Sequence, residues 1–330
     1  MAQSVSKSLF RSRSSSPSDE QRLSPAERVT AQIAALLERG VRPWVKPWRV
    51  DAPDVLALPL RACGQAYRGM NVIALWAAAL ERGFRARHWF TYQQALALDA
   101  CVRKGERGSY VVFYTELGAK ADGEPSGITL PRARPADGEE AGALRRILRG
   151  YTVFNAEQID GLPEQYAAPP EPVAPVFPLT PEAAEDAHLA ELFGRLPATI
   201  RYGGDRAFYS LAADVIQMPP KVAFDDATLF YATLAHEASH WTRHPTRLDR
   251  DFGQTRFGDP AYALEELVAE LSAAFIGATI GLPADHLEDH AAYIDGWLKA
   301  LSANPSAFLT AASKAQAAAD FVLQALGVGA

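Results

Sequence analysis

The chain has 330 residues, of which 48% are hydrophobic and 22% are charged, and its formal net charge at pH 7 is −6. This length is sufficient for two globular domains, each with its own core. No run of 18 apolar residues occurs, which argues against a membrane span and a membrane partner. The two cysteines, Cys63 and Cys101, follow no disulfide or metal pattern and predict a reducing, cytoplasmic location.

The charge is distributed unevenly along the chain. Residues 26–165 carry 19 basic and 16 acidic side chains, whereas residues 166–330 carry 10 basic and 21 acidic side chains. A basic half joined to an acidic half indicates that only the first half meets a polyanion.

Composition divides the chain into four segments. Residues 1–25 are rich in Ser and Arg and lack an apolar stretch, so they are predicted to be a disordered tail. Residues 26–166 form the first predicted domain and residues 179–330 the second. The five prolines in residues 167–178 predict a semi-rigid linker between the two domains.

Helical periodicity and end signals predict three helices in the first domain: Ala26–Arg39, Asn71–Arg82 and Thr91–Leu98. Residue types that favour β structure predict two paired strands at Ser109–Thr115 and Tyr151–Phe154. Between these strands, residues 118–140 are rich in Gly, Pro and charge, which predicts a long loop.

The second domain is predicted to begin with a helix at Glu182–Arg195. Three short strands are predicted next: Thr199–Tyr202, Ala207–Ser210 and Val215–Met218. Four helices are predicted after them: Leu229–Thr242, Ala261–Ile276 with Gly277 as its stop, Asp285–Leu301 and Pro305–Leu326. Strands followed by a run of helices favour the α+β fold class over a doubly wound α/β fold.

His236-Glu237-Ala238-Ser239-His240 has the pattern H-E-x-x-H and lies inside a predicted helix. Residues at i and i+4 share a helix face, so both imidazoles can bind one Zn²⁺. Glu237 is then placed to take a proton from a water on that metal. Because the pattern is short, the alternative is two ordinary histidines on either side of a solvated glutamate.

The next helix offers a third ligand. A catalytic zinc needs a third protein ligand, and a carboxylate such as Glu266 on a second helix leaves the fourth position for water. Glu270 lies one turn further on and is suited to hold a ligand imidazole by its other nitrogen. Replacing Glu265 is expected to leave metal affinity unchanged. The alternative is that all three glutamates form a solvated helix face.

Cations alternate with aromatic side chains at several places in the first domain. Such a mixture suits single-stranded DNA, because cations follow the phosphates and aromatic rings stack on unpaired bases. The candidate contacts are Arg42, Trp44, Lys46, Trp48, Arg68, Asn71, Trp89, Arg103, Lys104 and Arg107. The alternative is that the rings are edges of the core and that the basic turn at residues 103–107 is simply solvated.

Motifs from both halves resemble those of ArdC-type antirestriction proteins. They include Arg42-Pro-Trp44, Tyr67-Arg-Gly-Met-Asn71, Val102-Arg-Lys-Gly-Glu-Arg-Gly108, His236-Glu-Ala-Ser-His-Trp-Thr242, Arg247-Leu-Asp-Arg250, Tyr262-Ala-Leu-Glu-Glu-Leu-Val-Ala-Glu270 and Tyr293-Ile-Asp-Gly-Trp297. The resemblance implies a mixed α/β, single-stranded DNA-binding domain, also seen in the N-terminal region of conjugation primases such as TraC. It implies a second, zincin-like metallopeptidase domain, in a protein that a plasmid or other mobile element carries to shield incoming DNA from host restriction.

In similar zincins the third ligand is a Glu with an acid four residues later, which matches Glu266 and Glu270. The resulting hypothesis is a peptidase with one Zn²⁺, or another divalent metal, on His236, His240 and Glu266. Glu237 is its general base, and Tyr293 donates on the oxyanion side. Its substrate would be a protein, such as a restriction enzyme. The rival hypothesis is a non-enzymatic protein that coats single-stranded DNA and holds a purely structural metal.

Overall fold

A computed structural model describes residues 23–45, 57–116, 146–167, 182–252, 259–282, 291–304 and 306–328. Within them the fold is α+β with two domains, as predicted. Most of the predicted tail and linker, and the predicted loop at residues 118–140, lie outside the described residues. None of the described helices is both long enough and apolar enough to cross a membrane.

The first half combines four helices with two small sheets. The helices are α1 (Pro25–Glu38), α2 (Met70–Arg82), α3 (Tyr92–Leu96) and α4 (Glu164–Ala167). The strands are β1 (Leu60–Arg61), β2 (His88–Thr91), β3 (Cys101–Val102), β4 (Ser109–Glu116), β5 (Arg146–Asn155) and β6 (Ile159–Asp160). The main sheet has the order β1-β2-β5-β4, and β3 pairs with β6. Strands β4 and β5 pair antiparallel, which confirms the predicted pairing.

The second half places a three-stranded sheet before a group of long helices. Its strands are β7 (Thr199–Tyr202), β8 (Phe208–Ser210) and β9 (Val215–Met218), in the order β7-β9-β8. Its helices are α5 (Glu182–Phe193), α6 (Ala227–Trp241), α7 (Pro260–Ile280), α8 (Ala291–Ala303) and α9 (Ala307–Leu326). The H-E-x-x-H residues therefore lie on α6, and the three glutamates of the second motif lie on α7.

Helix α7 continues past its predicted stop. Gly277 lies inside the helix, where a Cβ atom would come within 2.7 Å of the Leu282 carbonyl oxygen. The helix ends instead at Gly281, which has φ 85° and the left-handed conformation common after helix ends. Gly277 is thus explained by close backbone approach and not by helix termination.

The apolar core is continuous between the two halves, contrary to the expectation that each domain has its own core. Trp76 of α2 packs on Phe275 of α7 with ring centroids 6.0 Å apart. Trp44, in the turn after α1, packs edge-on against Trp297 of α8 at 5.7 Å. A smaller cluster around Phe90 belongs to the first half alone. The second half therefore folds directly against the first.

Replacement of Asn71 tests whether its hydrogen bonds stabilise the first half. Its amide donates to the Val112 carbonyl and accepts from the Val112 N–H, both at 2.8 Å, and it is buried. We expect Asn71→Ala to lower the free energy of unfolding by about 1–3 kcal/mol for each backbone group left unsatisfied. Urea denaturation would measure this, with exposed Gln93→Ala as the control. Equal stability of the two variants would contradict a structural role for Asn71.

Candidate metal centre

Helix α6 positions the H-E-x-x-H residues in its last two turns. The helix begins at Asp226, whose carboxylate accepts from the Leu229 N–H at 2.9 Å. Ser239 donates to the Ala235 carbonyl, and its hydroxyl lies 2.8 Å from that of Ser272 on α7. This buried contact fixes the register of the two helices that carry the candidate ligands.

His236, His240 and Glu266 converge on one point. The Nε2 atoms of the two histidines lie 3.1 Å apart, and each lies 3.6 Å from Oε2 of Glu266. Two ligand atoms about 2.0–2.1 Å from a tetrahedral metal are themselves roughly 3.4 Å apart. The three side chains therefore have the composition and spacing that a divalent metal requires, and they form the one such group among the described residues.

Glu265 contacts this centre, although it does not belong to the candidate ligand group. Its Oε1 lies 3.1 Å from Nδ1 of His240, the ring nitrogen that faces away from the other ligand atoms. Buried Arg250 donates to both Glu265 oxygens, at 2.7 and 2.8 Å. Arg250 also donates to the Ser239 carbonyl at 2.9 Å and to the Thr242 hydroxyl at 2.8 Å. Glu265 thus fixes the orientation of the His240 ring, and Arg250 fixes Glu265.

The glutamates of α7 do not form a solvated face. Glu265, Glu266 and Glu270 are all buried, with relative exposures of 2%, 7% and 1%. Glu270 is not the acid on His240 Nδ1, because Glu265 occupies that position. Glu270 lies close enough to His236 for their charges to interact. The predicted role of Glu270, to support a ligand imidazole, therefore stays a prediction that concerns His236.

The acids make the centre favourable for positive charge. Burial alone would lower the pKa of His240, but Glu266 and Glu265 outweigh it and raise that pKa to about 10. Burial would raise the pKa of Glu265, yet Arg250 and His240 lower it to about 2. Burial acts on Glu266 in the same way, and His240 and His236 hold the pKa of Glu266 well below its usual range. The centre therefore favours a cation over an empty, neutral cavity.

Glu237 has the environment of a base. Burial raises its pKa, the two imidazoles lower it, nearby Glu266 raises it and the backbone N–H of Tyr209 lowers it by hydrogen bonding. Its Oε2 atom is buried and has no hydrogen-bond partner within the described part of the chain. The carboxylate thus lies near Tyr209 of strand β8, and its Oε2 oxygen is available to accept a proton.

A polar cluster beside the centre was not assigned a role from sequence, although one of its members, Arg247, lies in a family motif. The Tyr209 hydroxyl donates to Asp214 at 2.8 Å, and Arg247 donates to the same carboxylate at 3.1 Å. The Arg247 guanidinium lies over the Trp241 ring, 4.2 Å from its centroid. The cluster joins the end of β8 to the end of α6, and so supports the position of Tyr209 next to Glu237.

Three residues predicted to contact DNA are buried. Trp44 packs on Trp297, Trp89 packs on Phe84 at 5.9 Å, and Asn71 holds strand β4. A buried ring presents no face on which a base can stack. The prediction is therefore wrong for Trp44 and Trp89, and the alternative that these rings belong to the core is correct.

Two predicted DNA-binding cations pair instead with acids of the second half. Arg42 lies 4.0 Å from Glu270, and Arg68 forms an ion pair with Asp320 on α9. Two further predicted contacts lie outside the described residues: Lys46 and Trp48.

The basic turn between β3 and β4 lies on the surface, as contact with DNA requires. Arg103, Lys104 and Arg107 are all exposed. Arg103 is held by Glu106 at 2.9 Å and by Asp160 at 3.3 Å, so part of its charge is already balanced. Lys104 and Arg107 are therefore the better candidates for phosphate contacts. Tyr293 lies on α8, but its side chain is outside the described part of the structure.

Comparison with known proteins divides the chain into the same two halves. Residues 24–154 match the N-terminal domain of anti-restriction factor ArdC, and residues 187–314 match a zincin-like metallopeptidase family. The crystal structure of antirestriction ArdC protein from the R388 plasmid, metal-free, is 39% identical with a TM-score of 0.71, over 92% of this chain and 98% of that one. The chain belongs to the ArdC antirestriction family.

Other members of this similarity group extend the comparison. The Mn(II)-bound structure of the R388 ArdC protein has a TM-score of 0.70 at the same identity and coverage. Uncharacterized protein y4eC of Sinorhizobium fredii is 41% identical over 90% of each chain. DNA primase TraC of Escherichia coli is 38% identical over 90% of this chain, which spans only 27% of that primase. The predicted ArdC-type resemblance is thus confirmed.

The contacts of Glu265 generate a prediction opposite to the one from sequence. We expect Glu265→Ala to weaken zinc binding by about 10–100-fold, because His240 loses its acceptor and Arg250 is left without its carboxylate. Glu266→Ala should weaken zinc binding further, since it removes a ligand atom. Competition with a chromophoric chelator measures both effects. Glu191→Ala, which breaks an exposed pair with Arg195, is the matched control. Unchanged zinc affinity in Glu265→Ala would show that this acid does not support the centre.

Proposed function

We propose that this ArdC-family protein protects the incoming DNA of a mobile element from restriction, in the host cytoplasm, through a single-stranded DNA-binding half and a zinc peptidase centre. The observation that carries the proposal is the convergence of His236, His240 and Glu266 beside the buried, proton-accepting Glu237. The match of residues 187–314 to zincin-like metallopeptidases supports it.

His236, His240 and Glu266 would hold one divalent ion. Two imidazoles and one carboxylate form a donor set that suits Zn²⁺ and leaves a position for water or substrate. The Mn(II)-bound structure of the R388 relative supports a divalent metal in this family without selecting zinc. When bound, the ion would acidify the attacking water and polarise the scissile carbonyl.

The protein's own residues would move the protons. Glu237 would take the proton of the attacking water and return it to the leaving amine, which suits a carboxylate whose pKa burial has raised. The Tyr209 N–H orients Glu237, while Glu265 and Arg250 keep the His240 ring in place. Tyr293 is proposed to donate a hydrogen bond to the developing oxyanion. The substrate would be a protein, for which a restriction enzyme is the candidate.

Single-stranded DNA is proposed to bind the first half. The match to the ArdC N-terminal domain and the net basic charge of residues 26–165 support this assignment. The exposed Lys104 and Arg107 would contact phosphates, and Lys46 and Trp48 would supply a further charge and a stacking ring.

A non-enzymatic coating protein is the second candidate function. The observation that favours it is the joined core, since an ion between α6 and α7 would stabilise α7, which packs on Trp76 of the first half. Glu237 favours the peptidase, because a purely structural zinc has no need of a buried carboxylate with one oxygen available for a proton.

Glu237→Gln separates the two functions. The amide keeps the shape of the side chain but cannot act as the base, so we expect retained zinc and DNA binding and the loss of proteolysis. Cleavage of casein and self-cleavage of the full chain would be measured with and without zinc and single-stranded DNA. If the variant still protects DNA from restriction as well as the unmodified protein does, the coating function is favoured.

Neutralising the basic turn tests the DNA assignment. We expect Lys104→Ala and Arg107→Ala each to weaken oligothymidine binding and to reduce the slope of log affinity against log salt by about one unit at most. Fluorescence anisotropy of the full chain measures both quantities, and binding to duplex DNA should be weaker. Lys299→Ala, an exposed cation in the acidic half, is the control. Equal losses in all three variants would remove the turn from the DNA site.

A further inference from the structure

Two residues of the first half, Arg42 and Trp44, contact helices α7 and α8 of the second. Arg42 places a guanidinium nitrogen 4.0 Å from Oε2 of Glu270, and the two side chains are only 12% and 1% exposed. Trp44, two residues later, is fully buried. Both residues lie outside the range 187–314 that matches the zincin-like metallopeptidase family. The family match therefore does not contain all the side chains around its own centre.

Glu270 is placed to transmit an effect to the ligands. It follows Glu266 by one turn of α7, so the two carboxylates share a helix face. Burial raises the pKa of Glu270, while the charges of His236 and Arg42 lower it. An ionised carboxylate in such a position is costly unless a cation or hydrogen-bond donors balance its charge. Arg42 supplies that cation from outside the metallopeptidase region.

Trp44 helps to fix the position of the turn that carries Arg42. Its ring packs at 5.7 Å against Trp297 of α8, and α8 in turn packs on α7. The turn after α1 is thus fixed against helices of the second half, with Arg42 directed at Glu270. A mobile surface cation could not hold one buried carboxylate in a single position.

We propose that Arg42 and Trp44 are positioning residues of the metal centre, which hold Glu270 in place one helical turn from Glu266 so that the first half completes the metal site of the second. This inference rests on the proposed metal binding by His236, His240 and Glu266. It gives Arg42 and Trp44, which the sequence associates with DNA, a different role. They act on the centre through Glu270 and do not bind the metal themselves.

A double-mutant cycle on the full chain tests the inference. We expect Arg42→Met to weaken zinc binding by about tenfold, a typical effect of losing support behind a ligand, and Arg42→Lys to retain most of the affinity. In a Glu270→Gln background, Arg42→Met should change zinc affinity little further, because the charge on which Arg42 acts is gone. Arg39→Met, which removes an exposed cation paired with Glu81, should have no effect in either background.

Trp44→Phe gives a milder second test. The smaller ring keeps part of its packing on Trp297 but fixes the turn that carries Arg42 less firmly, so zinc binding should weaken a few-fold, with a modest fall in the melting temperature of the metal-free protein. Chelator competition and thermal unfolding measure the two quantities. If Arg42→Met weakens zinc binding equally in both backgrounds, or leaves it unchanged, Arg42 does not act through Glu270 and the inference fails. If the unmodified protein binds no zinc at all, the proposed metal function fails instead.

Discussion

Charge compensation inside the α6–α7 interface is the constraint on which this structure depends. Three glutamates of α7 are buried, and two of them, Glu265 and Glu266, contact the histidines of α6. Each carboxylate has a different counter-charge: Arg250 for Glu265, the imidazoles for Glu266, and Arg42 with His236 for Glu270. An acid buried without its partner would destabilise the fold, so both arginines must be brought to α7 from distant parts of the chain.

This constraint accounts for the path of the chain in two turns. After α6 the chain reverses tightly, with Asp249 in the left-handed region at φ 45°, and this reversal brings Arg250 back beneath His240. After α1 the chain turns inward instead of continuing over the surface, and this turn buries Trp44 and directs Arg42 at Glu270. Both turns end on α7, so the positions of the candidate ligands depend on the tertiary path of the chain.

The sequence predicts the parts of the site that local geometry determines. His236, Glu237 and His240 follow from helical spacing, and Glu266 from the need for a third ligand on a neighbouring helix. The role of Glu265 could not be predicted in this way, because its partner Arg250 reaches it only after the chain reverses. Trp44 and Trp89 were wrongly assigned to the DNA-binding surface. Aromatic residues next to cations occur both on such surfaces and at the edge of a core, so composition does not distinguish the two. Gly277 was misread because only the folded chain shows how closely Leu282 approaches it.

The joined core has a consequence for how such proteins can be recombined. Cutting the chain at the proline-rich linker would expose Trp76, Phe275 and Trp297 to water and would strip Arg42 from Glu270. A fusion protein that contains only one half would therefore expose this apolar interface and be destabilised. A fusion protein that contains both halves keeps the interface buried. The alignment with the much longer TraC primase fits this expectation, since it covers 90% of this chain and so includes both halves. In that primase, both halves therefore occur together.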